Sequence, residues 1–266
     1  MPAIAFSYSG IVRSGWRIHN EDTHVARLKG AFPGHDEIGF FCVFDGHGGD
    51  FAAKHCADHV CAAINNAPGL NAAAKEFDGD DLGAVMTKGL LQLDTQLRGT
   101  MPAGDTSGCT ACACILTAGD IVCGNVGDSR AVLCRARQAV ALSEDHKPFH
   151  AVESARIVGA GGHVTMQRVN GDLAVSRALG DFSYKMRHDL PAEKQQVSAE
   201  AEVKVVTRDP EDNFVIICCD GIWDVMSSED VCVYITRQLN ECTESSKNFG
   251  SSYKKRNISV SRTNLS

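Results

Sequence analysis

The residues best placed to do chemistry are acids and a histidine that follow apolar runs. Residues 40–44 are apolar and lead directly into Asp45, which is followed by glycines and His47. An apolar run that stops at glycines predicts a buried strand ending at a site. Aspartate is a hard oxygen ligand, and histidine can transfer a proton near neutral pH. A second apolar run, 214–219, ends in Asp220 followed by glycine. Two such strand ends could bring two carboxylates together, a geometry that suits a hard divalent metal ion.

Further charged residues could complete such a site. Arg17 precedes the acidic pair Glu21 and Asp22, Asp128 lies in a tight turn between two predicted strands, and Asp224 follows four residues after the second strand's aspartate. Acidic residues gathered in one cleft would attract a cation, so these side chains could extend a site for a hard divalent metal ion.

Each of these residues also has a structural explanation that the residues alone leave open. Acids before glycines are often turn formers or helix caps, which applies to Asp45, Asp128 and Asp220. The acidic pair near residue 21 could be solvated surface charge. The arginine could be a structural ion-pair partner, and the histidine could orient a neighbour.

The amino-acid composition argues against several classes of function. The chain has 266 residues, 44% of them hydrophobic, which is enough for one large domain with a sizeable core. The net charge of -7 and the lack of a basic block argue against nucleic acid as a partner. We see no signal peptide and no apolar run of ~20 residues, so we expect no membrane partner and a cytoplasmic or nuclear location. The twelve cysteines are then reduced thiols, and Cys109, Cys112 and Cys114 serve as small apolar strand residues rather than zinc ligands.

The periodicity predicts helices and strands in blocks rather than regular βαβ units, which favours an α+β fold with antiparallel sheets. Hairpin turns are expected at residues 119–120 and 127–128. Residues 182–200 are expected to be a loop with one helical turn. The predicted helices are 50–66, 80–98, 150–159 and a last one from 227 or 228 to about 242, and the predicted strands are 110–117, 121–126, 130–135, 202–207 and 213–219, with 163–169 extended. We expect a domain over residues 1–242 and a polar, disordered tail over 243–266.

Six motifs occur in an order and spacing that resemble the metal-dependent serine/threonine protein phosphatases of the type 2C class, over roughly residues 8–240. They are Gly15-Trp16-Arg17 with Glu21-Asp22, Asp45-Gly46-His47-Gly48-Gly49, Gly127-Asp128-Ser129-Arg130, Asp145-His146-Lys147-Pro148, the stretch from Arg168 to Asp181, and Asp220-Gly221-Ile222-Trp223-Asp224.

The resemblance implies a sandwich of two antiparallel β-sheets flanked by helices on both sides, with two Mn²⁺ or Mg²⁺ ions at one end and a third, weaker ion nearby. A water bridging the two ions would attack phosphorus directly. The implied metal ligands are Glu21, Asp22, Asp45, Gly46, Asp220, Asp128 and Asp224. Asp45 would bridge the two ions, Gly46 would bind through its carbonyl and Asp22 through water, while Asp128 and Asp224 would hold the third ion. Arg17 would clamp the substrate phosphate and His47 would act as general acid; His146 is interpreted as structural.

The resemblance also implies a final core strand preceded by an aspartate that binds metal. At the matching place this chain has Thr263, and no apolar strand follows. We therefore expect a monomeric phosphatase acting on phosphoprotein substrates, with activity impaired by the missing C-terminal ligand. The alternative is a catalytically weak or inactive phosphatase-fold protein that binds phosphoprotein partners.

Overall fold

The computed structural model describes residues 8–10, 20–70 and 77–248. Within these ranges the chain forms short strands and five α-helices. The strands are β1 (Thr23–Arg27), β2 (Gly39–Phe44), β3 (Gly46–His47), β4 (Gly108–Cys109), β5 (Ala111–Leu116), β6 (Asp120–Val126), β7 (Arg130–Arg135), β8 (Gln138–Ala141), β9 (Val164–Thr165), β10 (Arg168–Val169), β11 (Leu179–Gly180), β12 (Glu202–Thr207) and β13 (Asp212–Cys218). The helices are α1 (Phe51–Asn65), α2 (Gly79–Thr100), α3 (Ala151–Gly159), α4 (Asp220–Trp223) and α5 (Ser228–Asn248).

All strand pairs in the sheets are antiparallel, as the sequence predicted. A five-stranded sheet has the order β1-β2-β5-β6-β12, and a three-stranded sheet has the order β13-β7-β8. A small sheet, β11-β4-β3, adjoins the end of β2, and β9 and β10 form a separate hairpin.

Alternation along β5 explains why the five-stranded sheet is covered on both faces. Ala111, Ala113 and Ile115 pack in one core cluster with α1 and α2, whereas Cys112 and Cys114 pack in another. Successive side chains of a strand point to opposite faces of the sheet, so a strand buried on both sides lies between two layers. Cys109, Cys112 and Cys114 are buried free thiols that fill the core as small apolar residues, as predicted.

The second sheet repeats this arrangement. Ala131 and Leu133 of β7 join the cysteines of β5 between the two sheets, and Val132 and Cys134 face Val231 at the start of α5. The order of layers is therefore helices, sheet, sheet, helices, which confirms the predicted α+β sandwich.

One predicted turn is wrong. Residues 119–120 join β5 to β6 in a hairpin, but residues 127–128 carry the chain from β6 into β7 of the other sheet. The Gly127 amide donates to Nδ1 of His146, and its carbonyl accepts from the side chain of Asn125. Side chains thus satisfy backbone groups that a hairpin would pair across strands. His146 is neutral and structural here, since burial lowers its pKa to about 4.

Other differences from the sequence prediction are local. Strand β8 was not predicted, because its turn uses Ala136 and Arg137 at positive φ instead of the usual Asn or Gly. Residues 182–200 contain two short 3-10 turns, Phe182–Tyr184 and Ala192–Lys194, rather than one helical turn. Helix α5 continues to Asn248, beyond the predicted end near residue 242.

Some predictions concern residues outside the described part of the chain. These are Arg17, Thr263 and the tail from residue 249 onward. Within the described residues, no helix is long and apolar enough to cross a lipid bilayer.

A buried ion network joins α3 to the segment that precedes β11. Glu153 is 3% exposed and accepts hydrogen bonds from Arg156, Arg177 and the hydroxyl of Ser176. Burial alone would raise the pKa of Glu153, but the hydrogen bond from Arg177 and the charge of Arg156 lower it to about 2. The ionised carboxylate therefore stabilises the folded state.

We predict that Glu153→Gln lowers the free energy of unfolding at pH 7 by about 3 kcal/mol, because the buried Arg177 and the half-buried Arg156 lose their counter-charge. The depressed pKa means that this stabilisation is present above pH 4.5, the ordinary pKa, and is lost as the pH falls toward 2. Urea unfolding from pH 7 to pH 3 should show the gap between variant and wild type narrowing. Glu144→Gln, at an exposed position, is the matched control; equal losses in both variants would contradict the prediction.

Candidate active site

Asp45 lies at the junction of β2 and β3, where the chain leaves the five-stranded sheet. Its amide donates to the Thr110 hydroxyl at 3.2 Å, and its carbonyl accepts from the Thr110 amide at 2.9 Å. The Thr110 hydroxyl also contacts that of Ser129 at 2.7 Å, and both residues are buried. The backbone of the aspartate is thereby fixed from two directions. Sequence reasoning missed Thr110, which lies in the cysteine-rich strand region and carries no charge.

Asp220 begins α4 directly after β13, so the two predicted strand ends do meet. Ligand atoms of Asp45, Cys219 and Asp220 all lie within 4.8 Å of one another, and no other such group of three exists among the described residues. Helix α4 is held in place by Trp223, whose indole donates to the Cys218 carbonyl at 2.8 Å.

Cys219 was not predicted to lie at the site. Burial and the charges of Asp22 and Asp45 raise the pKa of its thiol well above the ordinary value. The thiol is 3.7 Å from an Asp22 carboxylate oxygen, to which it donates. A protonated thiol is a poor metal ligand, so oxygen donors dominate the site.

The acidic pair Glu21 and Asp22 precedes β1 and also reaches the site. A Glu21 carboxylate oxygen accepts the Gly49 amide at 2.9 Å. Gly46 packs so tightly against this segment that a Cβ there would collide with the Glu21 carbonyl oxygen. Only glycine allows this approach. The two side chains are therefore half-buried, and they contact Gly49 and Cys219 beside the predicted site.

The carboxylates at the site repel one another. Burial, followed by the charges of Asp220, Asp22 and Asp128, raises the pKa of Asp45 to about 8. Partly buried like charges that repel one another are costly, and a divalent cation among them would lower that cost. Their oxygen donors are those that Mg²⁺ and Mn²⁺ prefer, so these residues fit a hard divalent ion.

The two residues assigned to a third ion are in different surroundings. Asp128 is 4% exposed, and its carboxylate accepts a hydrogen bond from the ammonium of Lys147. Asp224 is exposed, one turn of α4 beyond Asp220. The ammonium of Lys147 is therefore a cation that already contacts Asp128.

His47, on β3, pairs with an aspartate that lies in one of the six motifs but had no predicted role. Its Nε2 lies 2.7 Å from Oδ2 of Asp181. Burial alone would lower the pKa of His47, but the hydrogen bond and charge of Asp181, with the charges of Asp128 and Glu21, raise it. A histidine with a raised pKa carries a proton near neutral pH and can donate it. The site thus combines a carboxylate cluster that fits a divalent cation with an adjacent histidine hydrogen-bonded to a carboxylate.

Comparison with known proteins gives one family. Residues 6–259 match the family described as Protein phosphatase 2C. A probable protein phosphatase 2C of Caenorhabditis elegans is 40% identical over 85% of this chain and 62% of its own length. Human protein phosphatase 1A is 40% identical over 85% of this chain and 60% of its own length. This chain thus spans about three fifths of the length of these relatives.

Solved structures agree. The crystal structure of serine-threonine phosphatase 2C from Toxoplasma gondii aligns with a TM-score of 0.75 at 25% identity, covering 88% of this chain and 83% of that one. A sex determining protein of Caenorhabditis elegans aligns with a TM-score of 0.72 at 28% identity, covering 84% of this chain and 53% of that one. With its layered fold and its carboxylate cluster, the chain belongs to the protein phosphatase 2C family.

Proposed function

We propose that this protein hydrolyses phosphoserine and phosphothreonine in proteins, in a reaction that requires Mn²⁺ or Mg²⁺. The observation that carries the proposal is the meeting of Asp45 and Asp220 at the ends of strands from two facing sheets, where burial and the charge of Asp220 raise the pKa of Asp45 to about 8. Membership of the family supports the reaction class.

Two divalent ions, when bound, would supply an activated water and neutralise charge on the phosphoryl group. The side chains of Glu21, Asp22, Asp45 and Asp220 and the carbonyl of Gly46 would hold them. Because hydroxide from water is the nucleophile in this proposal, no side chain forms a covalent intermediate. Asp128 and Asp224 would hold a weaker third ion.

His47 would protonate the departing seryl or threonyl oxygen, since an alkoxide is a poor leaving group. Arg17 would bind the phosphate oxygens through its planar fork. Both roles follow the family resemblance; the raised pKa of His47 supports the first of them.

The first prediction from this proposed function concerns turnover. A phosphothreonine peptide should be hydrolysed in the presence of Mn²⁺, with activity abolished by EDTA and saturating as the ion is restored. Asp45→Asn should lower kcat/KM by about 100-fold or more, because metal ions contribute several kcal/mol to catalysis. Asp58→Asn, an exposed acid on α1, should leave the rate unchanged. No turnover by folded protein at any metal concentration would favour the inactive, phosphoprotein-binding alternative.

The second prediction concerns stability without metal. The raised pKa of Asp45 means that its ionised form destabilises the folded state, increasingly so from about pH 4 to pH 8. In EDTA, Asp45→Asn should therefore have a higher Tm than wild type, with a gap that widens as the pH rises. Adding Mn²⁺ should raise the Tm of wild type more than that of the variant. If the variant were less stable than wild type in EDTA, the ionised Asp45 carboxylate would not be destabilising the folded state.

The third prediction concerns the internal cation at Asp128. Lys147→Gln leaves this buried aspartate without its counter-charge, so the metal-free variant should be less stable than wild type. Excess Mn²⁺ should then raise the Tm of the variant by more than that of wild type, because the ion can take the place of the ammonium. Lys54→Gln removes an exposed ion pair and is the control. Equal Mn²⁺ shifts in all three proteins would mean that Lys147 does not compete with an ion.

A further inference from the structure

The contact between His47 and Asp181 decides which ring nitrogen can act on a substrate. A carboxylate only accepts hydrogen bonds, so Nε2 of His47 must be the donor in the 2.7 Å contact. Nε2 is thereby engaged, and Nδ1 is the remaining nitrogen that can deliver a proton elsewhere. We propose that Asp181 is a positioning residue that holds the His47 ring so that Nδ1 protonates the leaving group.

This proton transfer rests on the phosphatase reaction proposed above. As the bond between phosphorus and the leaving oxygen breaks, its electron pair stays on that oxygen, which takes the proton from Nδ1. The ring becomes neutral and keeps its Nε2 proton on Asp181. Solvent then returns a proton to Nδ1 before the next cycle.

The backbone at Asp181 is rigidly placed. The residue is 5% exposed and adopts a left-handed conformation with φ of 51°, and its amide donates to the Ser107 carbonyl at 3.3 Å. Opposite it lies Gly108, the register partner of His47 in the small sheet. A Cβ on Gly108 would collide with the Asp181 carboxylate and lie 2.6 Å from Nε2 of His47. The strand therefore leaves room for this pair only because it carries glycine at this position.

Helix α2 anchors the segment that carries Asp181. The carboxylate of Asp94 accepts the Gly180 amide and the Lys185 ammonium, both at 2.8 Å. Lys185 also donates to the Ala178 carbonyl at 2.9 Å, and both charged residues are buried. Residues on either side of Asp181 are thus tied to one helix, so its side chain has little freedom to leave His47.

The test uses two substrates that differ in their need for a proton. Asp181→Asn should lower kcat for a phosphothreonine peptide by about 10- to 100-fold with little change in KM, the range typical of lost supporting contacts. Hydrolysis of p-nitrophenyl phosphate should change by less than about 3-fold, because its leaving group departs without protonation. Asparagine tolerates the left-handed backbone, so the variant should keep its fold.

Matched variants distinguish a positioning role of Asp181 from a general loss of structure or activity. Asp172→Asn makes the same change on an exposed residue nearby, whose carboxylate accepts the Tyr184 hydroxyl, and should affect neither substrate. In a His47→Gln background, Asp181→Asn should cause no further loss, since the two residues act as a unit. Equal losses on both substrates, or additive losses in the double variant, would overturn the proposal.

An NMR measurement keeps this inference separate from the proposed function. Wild-type protein that hydrolyses neither substrate would refute the phosphatase proposal but leave the position of His47 open to test. Long-range ¹H–¹⁵N spectra should show the neutral His47 ring protonated on Nε2, and Asp181→Asn should shift its ring signals while Asp172→Asn does not. His47 signals that are unmoved in Asp181→Asn would refute the positioning role whatever the turnover.

Discussion

Repulsion among carboxylates gathered at the ends of strands is the constraint on which the site depends. Asp45 and Asp220 end strands of two different sheets, and their ligand atoms come together because those sheets pack face to face. In water such charges would separate, but here the backbone of each is part of a packed strand or helix. The fold thus holds together groups that destabilise it, and a divalent ion is the natural neutralising partner.

The rigidity needed for this arrangement comes from the layered core. Strand β5 is covered by helices on one face and by the second sheet on the other, and it pairs with β2, which leads into Asp45. Strand β7 is buried on both faces in the same way and pairs with β13, which leads into Asp220. A shift of either sheet would separate the two carboxylates, so packing far from the site fixes its geometry.

The sequence predicted those parts of the fold whose signals are local. Periodicity located α1, α2 and the central strands, and glycines after Asp45 and Asp220 marked the two strand ends. The prediction from sequence failed where a turn depends on tertiary partners. The sequence of residues 127–128 is typical of a hairpin turn, but His146 and Asn125 hydrogen-bond to that backbone, and the chain continues into the other sheet. No role was predicted for Asp181 for the same reason, because its partner His47 lies 134 residues away in the chain.

The uncharged residues around the site explain why its charged ones can act. Gly46 and Gly108 permit approaches that a single methyl group would prevent, and Thr110 fixes the backbone of Asp45 through both its amide and its hydroxyl. Substitution of these residues would leave every candidate carboxylate in the sequence while moving the carboxylates by distances that matter for chemistry. A sequence that keeps all the acids is therefore weaker evidence for a working site than a sequence that also keeps the small residues, because the small residues allow the acids to approach one another.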